Sequence, residues 1–317
     1  MQRVHVKSGN RSNRKLSTPG LWFVVALFGL LVAASPAAAT KAIQITSGLP
    51  HSCAITSSGT AICWGYDRFG ESHVPKSLGT AAQISARNDH TCAVTTSSKV
   101  RCWGLNTYGQ TTVPADLAPA SAVATGGFHT CALLTSGGVR CWGRNDFGQT
   151  AVPNDLPSAK AVTAGYRFTC AVLVDSTVRC WGAHTYGEAD VPANLGQVKQ
   201  IDAGYYHVCA VTTSDQARCW GHNLYGKATP PNNLGSVSWI SAGGQHSCAV
   251  TFDHKVRCWG TTTGTMFYGQ TTVPKTLDPV AQVSAGWQHT CVIKVSGKVR
   301  CWGRNVSGVL GIPPSLK

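Results

Sequence analysis

Fourteen cysteines are the residues of this chain best equipped for chemistry. They fall at two fixed positions of a recurring unit: Cys53 with Cys63, Cys92 with Cys102, Cys131 with Cys141, Cys170 with Cys180, Cys209 with Cys219, Cys248 with Cys258, and Cys291 with Cys301. Paired cysteines suit zinc binding or disulfide formation. Tetrahedral zinc sites draw ligands two to four residues apart from converging pairs, and one isolated pair per unit cannot supply four ligands. A hairpin with the three-residue loop Ser57-Ser58-Gly59 sets Thr56 against Thr60 and Cys53 opposite Cys63. Directly opposed residues lie ~4.5–5.5 Å apart at Cα, within disulfide range. Gly59, Gly137, Asp215 and Gly297 stand at the third loop position, where a left-handed residue is wanted. The even count and this geometry predict seven disulfides, each inside its own unit.

Six histidines, His51, His90, His129, His207, His246 and His289, also recur once per unit. Spread around a ring, they cannot converge on one ion at ~2.0–2.1 Å, and Phe168 replaces the seventh. They are read as structural, with no metal site. Catalytic signatures are missing too: there is no G-x-S-x-G, no H-E-x-x-H and no phosphate loop. The two glutamates, Glu71 and Glu188, occupy matching turns of distant units, so a paired-carboxylate site is disfavoured. The expectation is a protein that is not an enzyme, with no catalytic residues and no cofactor.

The elements that carry these residues follow from the period. Arg101-Cys102-Trp103-Gly104 recurs with its cysteine at 141, 180, 219, 258 and 301, and Ile62-Cys63-Trp64-Gly65 is a first copy. Successive copies are 39 residues apart, except the last, at 43, where the sixth unit holds four extra residues around 261–267. Seven repeats result: 41–79, 80–118, 119–157, 158–196, 197–235, 236–278 and 279–317. In the second, 81–85, 90–95, 100–103 and 110–113 read as four short strands separated by turns. Four strands per ~40 residues is the size of a propeller blade. The reading is an all-β, seven-bladed β-propeller with four antiparallel strands and one disulfide per blade.

Composition agrees. Only 13% of residues are charged, against ~25% in an average soluble protein. Arg3, Lys7, Arg11, Arg14 and Lys15 form a basic leader before the apolar run 21–34 and an A-x-A site ending at Ala39. This is the pattern of a signal peptide over residues 1–39, followed by a propeller over 40–317. An uncleaved anchor is the alternative, but the run falls short of the ~20 residues that span a bilayer. Removing the five leader bases from the 27 leaves 22 against 13 acidic residues, a net charge of +9. The basic residues are spread thinly, without the clusters that mark nucleic-acid binding. A secreted monomer, extracellular or periplasmic and free of the membrane after cleavage, is expected.

The constant residues A-G-x-x-H-[ST]-C-A-[VL] and V-R-C-W-G-x-N-x-[FY]-G-Q-T-x-V-P resemble the regulator of chromosome condensation repeat family. Gly109–Pro114 and Gly269–Pro274 (G-Q-T-T-V-P) are similar to its secreted bacterial branch, which includes the propeller-type β-lactamase inhibitor protein. The resemblance spans 41–317 and implies the propeller fold. It also implies two activities, inhibition of a secreted or periplasmic enzyme such as a β-lactamase and, more remotely, guanine-nucleotide exchange. Export and disulfides speak against the second, whose partner is intracellular.

Positions identical in every repeat serve what all blades share, whereas positions that vary are free to serve a partner. Trp64, Trp103, Trp142, Trp181, Trp220, Trp259 and Trp302 are invariant and expected between blades. Arg101, Arg140, Arg179, Arg218, Arg257 and Arg300 precede them by two and are expected to stack on them. The aromatics Phe69, Tyr108, Phe147, Tyr186, Tyr225 and Tyr268 are read as structural. The two variable residues of each G-x-x-H loop should emerge on one face, and Tyr, Trp, Phe and Arg are hot-spot residue types. Phe128, Tyr166, Arg167, Tyr205, Tyr206 and Trp287 are therefore the candidate partner-binding residues. The expected function is a scaffold capturing a protein partner. The alternative is a glycan-binding module of the cell wall or surface.

Overall fold

Each repeat folds into three consecutive antiparallel strands. In blade one these are β1 (Ala42–Ser47), β2 (His51–Thr56) and β3 (Ala61–Gly65). Blade two has β4 (Ala81–Arg87), β5 (His90–Thr95) and β6 (Val100–Gly104). The computed structural model describes residues 40–317, and the expected signal peptide lies outside the described residues. Across them the pattern repeats as seven three-stranded sheets, the blades of a propeller, each in sequence order.

The expected fourth strand is not formed. Residues 110–113 are a run of turns, in which Thr112 N–H donates to Gly109 O at 3.0 Å and Val113 N–H to Thr111 O at 3.1 Å. Gly109 (φ 77°) and Pro114 bracket the segment. Local turns consume donors that a ladder would need.

The middle strand of every blade is buried almost throughout, because a neighbouring blade covers each face. The core is accordingly a set of inter-blade seams. One seam joins Cys53, Ile55 and Leu78 to Ile84, Ala93 and Trp103. Each invariant tryptophan is buried in such a seam and donates its indole N–H to a carbonyl of the preceding blade, as Trp103 does to Glu71 O at 2.9 Å. The last seam closes the ring: Trp64 donates to Val309 O at 2.8 Å and Ala42 N–H to Gly297 O at 2.9 Å. Among the described residues, no strand is exchanged between blades to close it.

All seven cysteine pairs are bonded within their own hairpin. Cys53 joins Cys63, Cys92 joins Cys102, Cys131 joins Cys141, and Cys170 joins Cys180. Cys209 joins Cys219, Cys248 joins Cys258, and Cys291 joins Cys301. The partners are in direct register, as the loop length requires. Their Cα atoms are 4.0–4.1 Å apart, closer than the spacing expected from the sequence. The cysteine pair lies three steps from the hydrogen-bonded pair Thr56 and Thr60, so it exchanges no ladder bonds, and such pairs approach more closely.

The two members of each bridge differ in environment. The middle-strand cysteine is fully buried, whereas Cys63, Cys102, Cys141, Cys180, Cys219, Cys258 and Cys301 are half-buried on the outer strand, which has no further strand beside it. The third loop residues have left-handed φ, including Gly59 (79°), Asp215 (65°) and Gly297 (85°).

The histidines lock neighbouring blades. His51 Nε2 lies 2.8 Å from Thr91 Oγ1, and Thr91 donates in turn to Glu71 O at 2.9 Å. Since the hydroxyl hydrogen is so committed, Thr91 must accept from His51, which fixes Nε2 as the protonated nitrogen. The pairing recurs at His90–Thr130, His129–Thr169, His207–Ser247 and His246–Thr290, and His289–Ser52 joins blade seven to blade one. Burial drives the imidazole pKa of His51, His90, His129, His246 and His289 down to about 3, leaving neutral rings.

The arginines two before the tryptophans do not stack on them. Arg140 reaches Asp116 at 3.4 Å and Arg179 reaches Asp155 at 2.9 Å. Arg300 donates to Thr276 O at 3.2 Å. The indole is sealed in the seam, whereas the long arginine stem carries its charge outward to water and to the preceding loop.

The seven first strands line a central channel of about 250 Å³. There Gln44 clamps the next blade, accepting from Ile84 N–H at 3.0 Å and donating to Ile84 O at 3.1 Å. Gln83 does the same to Val123, and Gln200 to Ile240.

Candidate partner-binding face

The G-x-x-H loops join each first strand to the middle strand, so all emerge at the same end of the blades. Six of the seven carry a glycine at their start, Arg87 standing there in the second, and that glycine is needed for space. A Cβ on Gly126 would sit 2.1 Å from the His129 ring, and one on Gly165 2.1 Å from Phe168. The loops also bond to one another around the ring. Gly127 N–H donates to Gly165 O at 3.0 Å, Tyr166 to Tyr205 O at 3.1 Å and Tyr205 to Gly243 O at 3.2 Å. Gly244 donates to Gly286 O at 3.0 Å, and Trp287 to Gly48 O at 3.3 Å. The first variable residue thus belongs to an inner ring.

The second variable residue is tied outward. The carbonyls of Phe128, Arg167 and Tyr206 accept from Arg144, Ala183 and His222 at 2.9, 2.9 and 2.7 Å. This couples each loop to the turn that follows its own Trp-Gly.

Side chains on this frame form one continuous aromatic network. Ring centroids of Tyr108 and Phe128 are 5.3 Å apart, Phe128 and Tyr166 5.7 Å, and Tyr166 and Tyr206 5.5 Å. Tyr205 stacks on Tyr166 at 5.3 Å and meets Trp287 edge-on at 4.1 Å. Tyr186 extends the network from Tyr206 (5.5 Å) to His222 (4.5 Å). Arginines lie over the rings. Arg144 is 4.8 Å from Tyr108 and 5.8 Å from Phe128, while Arg167 is 4.4 Å from Phe147 and 5.2 Å from Tyr166.

Two contacts cross the ring from blade two to blade five. Tyr205 donates its phenol hydrogen to Asn88 Oδ1. Arg87 donates to Ala203 O and stands 3.9 Å from Asp202. Burial raises the Tyr205 phenol well above its ordinary pKa and raises Tyr206 as well, so both are neutral donors. Burial also raises the Asp202 carboxyl, and Arg87 offsets that rise only in part.

Seven matches to the regulator of chromosome condensation (RCC1) repeat cover 42–71, 81–110, 120–149, 159–188, 198–227, 237–270 and 280–309. The chain belongs to the RCC1 repeat family. No curated protein sequence matches it. Among solved structures, it is similar to the ectodomain of the Physcomitrella patens receptor kinase CR4. That match has 24% identity and a TM-score of 0.70, over 83% of this chain and 74% of that one. The CRINKLY WD40 ectodomain of the Arabidopsis thaliana receptor kinase ACR4 is 22% identical with a TM-score of 0.70, over 88% of this chain and 100% of that one. Prp20p from Saccharomyces cerevisiae is 16% identical with a TM-score of 0.66, over 78% and 81%. Identities this low speak for the fold alone.

On this RCC1 propeller the six residues singled out from the sequence come together in one network. Phe128, Tyr166, Arg167, Tyr206 and Trp287 are half-buried. Tyr205 is 4% exposed, a bolt across the ring rather than an open contact. The sequence reading passed over Tyr108, Phe147 and Tyr186, which are 37–49% exposed beside the loop aromatics. Their presence in nearly every repeat looked like packing. The turn carrying them follows Trp-Gly, and only the carbonyl bonds from the G-x-x-H loop show that both emerge together. Among the described residues, no group of three or more His, Cys, Asp or Glu is placed to hold a metal ion.

Proposed function

We propose that the protein is an exported scaffold that captures a protein partner on the aromatic loop face. The observation that carries this reading is the continuous network from Tyr108 through Phe128, Tyr166 and Tyr206 to Tyr186, with Arg144 and Arg167 laid over it. Aromatic rings and arginine held rigidly on a bonded loop frame are the make-up of interface hot spots. Seven disulfides suit an oxidising compartment, in keeping with residues 1–39 acting as a signal peptide. No helix among the described residues is long and apolar enough to cross a membrane. The structure of Prp20p is described together with its binding to Gsp1p and histones, an instance of protein recognition on this fold. The sharper reading, inhibition of a secreted or periplasmic enzyme such as a β-lactamase, rests on the resemblance of the G-Q-T-T-V-P turns.

The test uses oxidised protein exported from the full chain, titrated against purified class A β-lactamases and other periplasmic enzymes by surface plasmon resonance and by activity. One enzyme should bind. Tyr166→Ala, Tyr206→Ala and Trp287→Ala together should weaken that binding by about 100-fold or more while the protein stays folded. Binding untouched by the triple variant would remove this face from consideration. Retention on insoluble peptidoglycan or chitin instead would favour the glycan alternative, for which exposed Tyr108 and Tyr186 are also suitable platforms.

A further inference from the structure

Arg144, Arg304 and Arg167 lie against aromatic rings of this face, and the first two have polar partners. Arg144 reaches Asp146 at 2.6 Å, and Arg304, 4.5 Å from the Tyr268 ring, donates to Gln288 Oε1 at 2.6 Å. Arg167 differs. Its guanidinium lies between Phe147 and Tyr166, at 4.4 and 5.2 Å. Its side chain takes part in none of the ion pairs among the described residues, and its Nε is buried without a hydrogen-bond partner.

The carboxylates beside Phe147 and Tyr186 in the adjoining turns are otherwise engaged. Asp146 is held by Arg144, and Glu188 is buried with one oxygen accepting from Tyr186 N–H at 2.7 Å. Partial desolvation of an unpaired cation is costly, and ring faces offset only part of that cost. The side chain is held rigid with its charge unanswered.

We propose that Arg167 is the specificity element of this face and receives the carboxylate of an acidic segment of the partner protein. This rests on the face being the binding surface. A guanidinium presents a planar fork that matches a carboxylate with two parallel hydrogen bonds. Phe128 and Tyr206, both half-buried, stand on the same network as the fork. The segment therefore carries Asp or Glu next to an aromatic or aliphatic residue. The net charge of +9 left once the five leader bases are removed favours approach of such a partner at low salt.

The probe is a phage-displayed random dodecapeptide library, panned on the oxidised protein exported from the full chain. Selected peptides should be rich in Asp or Glu beside an apolar residue. Arg167→Ala should weaken them by about tenfold or more, and Arg167→Lys, which keeps the charge without the fork, by less. Arg167→Glu should select Lys- or Arg-bearing peptides instead. Replacing the peptide's Glu by Gln should cost the wild type what Arg167→Ala costs, and cost the Arg167→Ala variant nothing more. Unchanged disulfide maps and melting temperatures certify that the variants fold.

Peptides with no acidic excess, affinity indifferent to Arg167, or an empty selection overturn the proposal. So does Arg167-dependent binding of polygalacturonate without any acidic peptide, which assigns the fork to an anionic glycan. Peptides that depend on Tyr206 and Trp287 but not on Arg167 overturn this inference and leave the face intact. Peptides that depend on none of the three overturn the face itself.

Discussion

Phe168 and Val208 meet across the seam between blades four and five, at the positions that hold a histidine and a serine or threonine in each of the other six seams. Both are fully buried and belong to one apolar cluster. The two departures from the repeat are thus a single exchange of a hydrogen-bonded pair for an apolar one. Changing either partner alone would leave a buried polar group without its bond.

Phe168→His is expected to destabilise the protein by about 1–3 kcal/mol, because the new Nε2–H faces Val208. Val208→Thr in the same chain should recover most of that loss. Threonine there can donate to Glu188 O, which already accepts from Trp220 at 3.1 Å. Denaturant unfolding of the four proteins of this cycle measures the coupling. Additive effects would refute the exchange.

Lys227 and Val309 are the two exceptions at another repeated position. In the other five blades the residue there accepts from the aromatic N–H two before it, as Gln110 does from Tyr108 and Gln149 from Phe147, both at 2.9 Å. A lysine cannot accept. Tyr225 adopts φ 65° instead, and Lys227 donates to Gly244 O at 3.0 Å. Burial lowers the Lys227 pKa to about 8. Below pH 8 the buried ammonium is charged in both folded and unfolded chains and opposes folding throughout. Between pH 8 and the ordinary lysine value near 10.5 the unfolded chain holds more protons, so stability rises with pH. Lys227→Gln should therefore stabilise by about 1–3 kcal/mol at pH 7, with a gain that shrinks toward pH 10. Melting curves across that range check it.

Acid should unfold the propeller in a defined window. The buried histidines have folded pKa values of about 3 against an ordinary value of 6.5. Unfolded chains bind these protons first, so this stability is complete above pH 6.5 and is lost as pH falls toward 3. Each histidine steepens the loss by up to about 1.4 kcal/mol per pH unit. Near-ultraviolet circular dichroism against pH should show cooperative loss below pH 5. His129→Phe combined with Thr169→Val should shift that midpoint to lower pH. An unshifted midpoint would assign acid unfolding to other groups.

Peptide mapping of the oxidised protein should return seven cross-linked hairpins and no bond between blades. Cys131→Ala combined with Cys141→Ala should cost roughly 2.5–3 kcal/mol in the chain-entropy model for a closed loop of about ten residues. Because that hairpin lies directly behind Phe128, loss of its bridge should also weaken partner binding. Unfolding midpoints and affinity are the readouts.

The sequence by itself determined everything that depends on the period and on contacts inside one hairpin. The spacing of Trp-Gly set the seven blades, and the three-residue loops set each cysteine opposite its partner, from Cys53 and Cys63 through Cys291 and Cys301. These are short-range relations, fixed by strand register and turn geometry. Tertiary structure decided what depends on residues one or more blades away. Arg140 went to Asp116 instead of an indole, Tyr205 reached across the ring to Asn88, and Tyr108 and Tyr186 joined the loop aromatics. It also made turns of residues 110–113, whose strand-like composition could not reveal that local hydrogen bonds would claim their donors. A repeated position has the same local geometry in every blade, but its exposure is set by the side chains that neighbouring loops bring against it, and those differ from seam to seam.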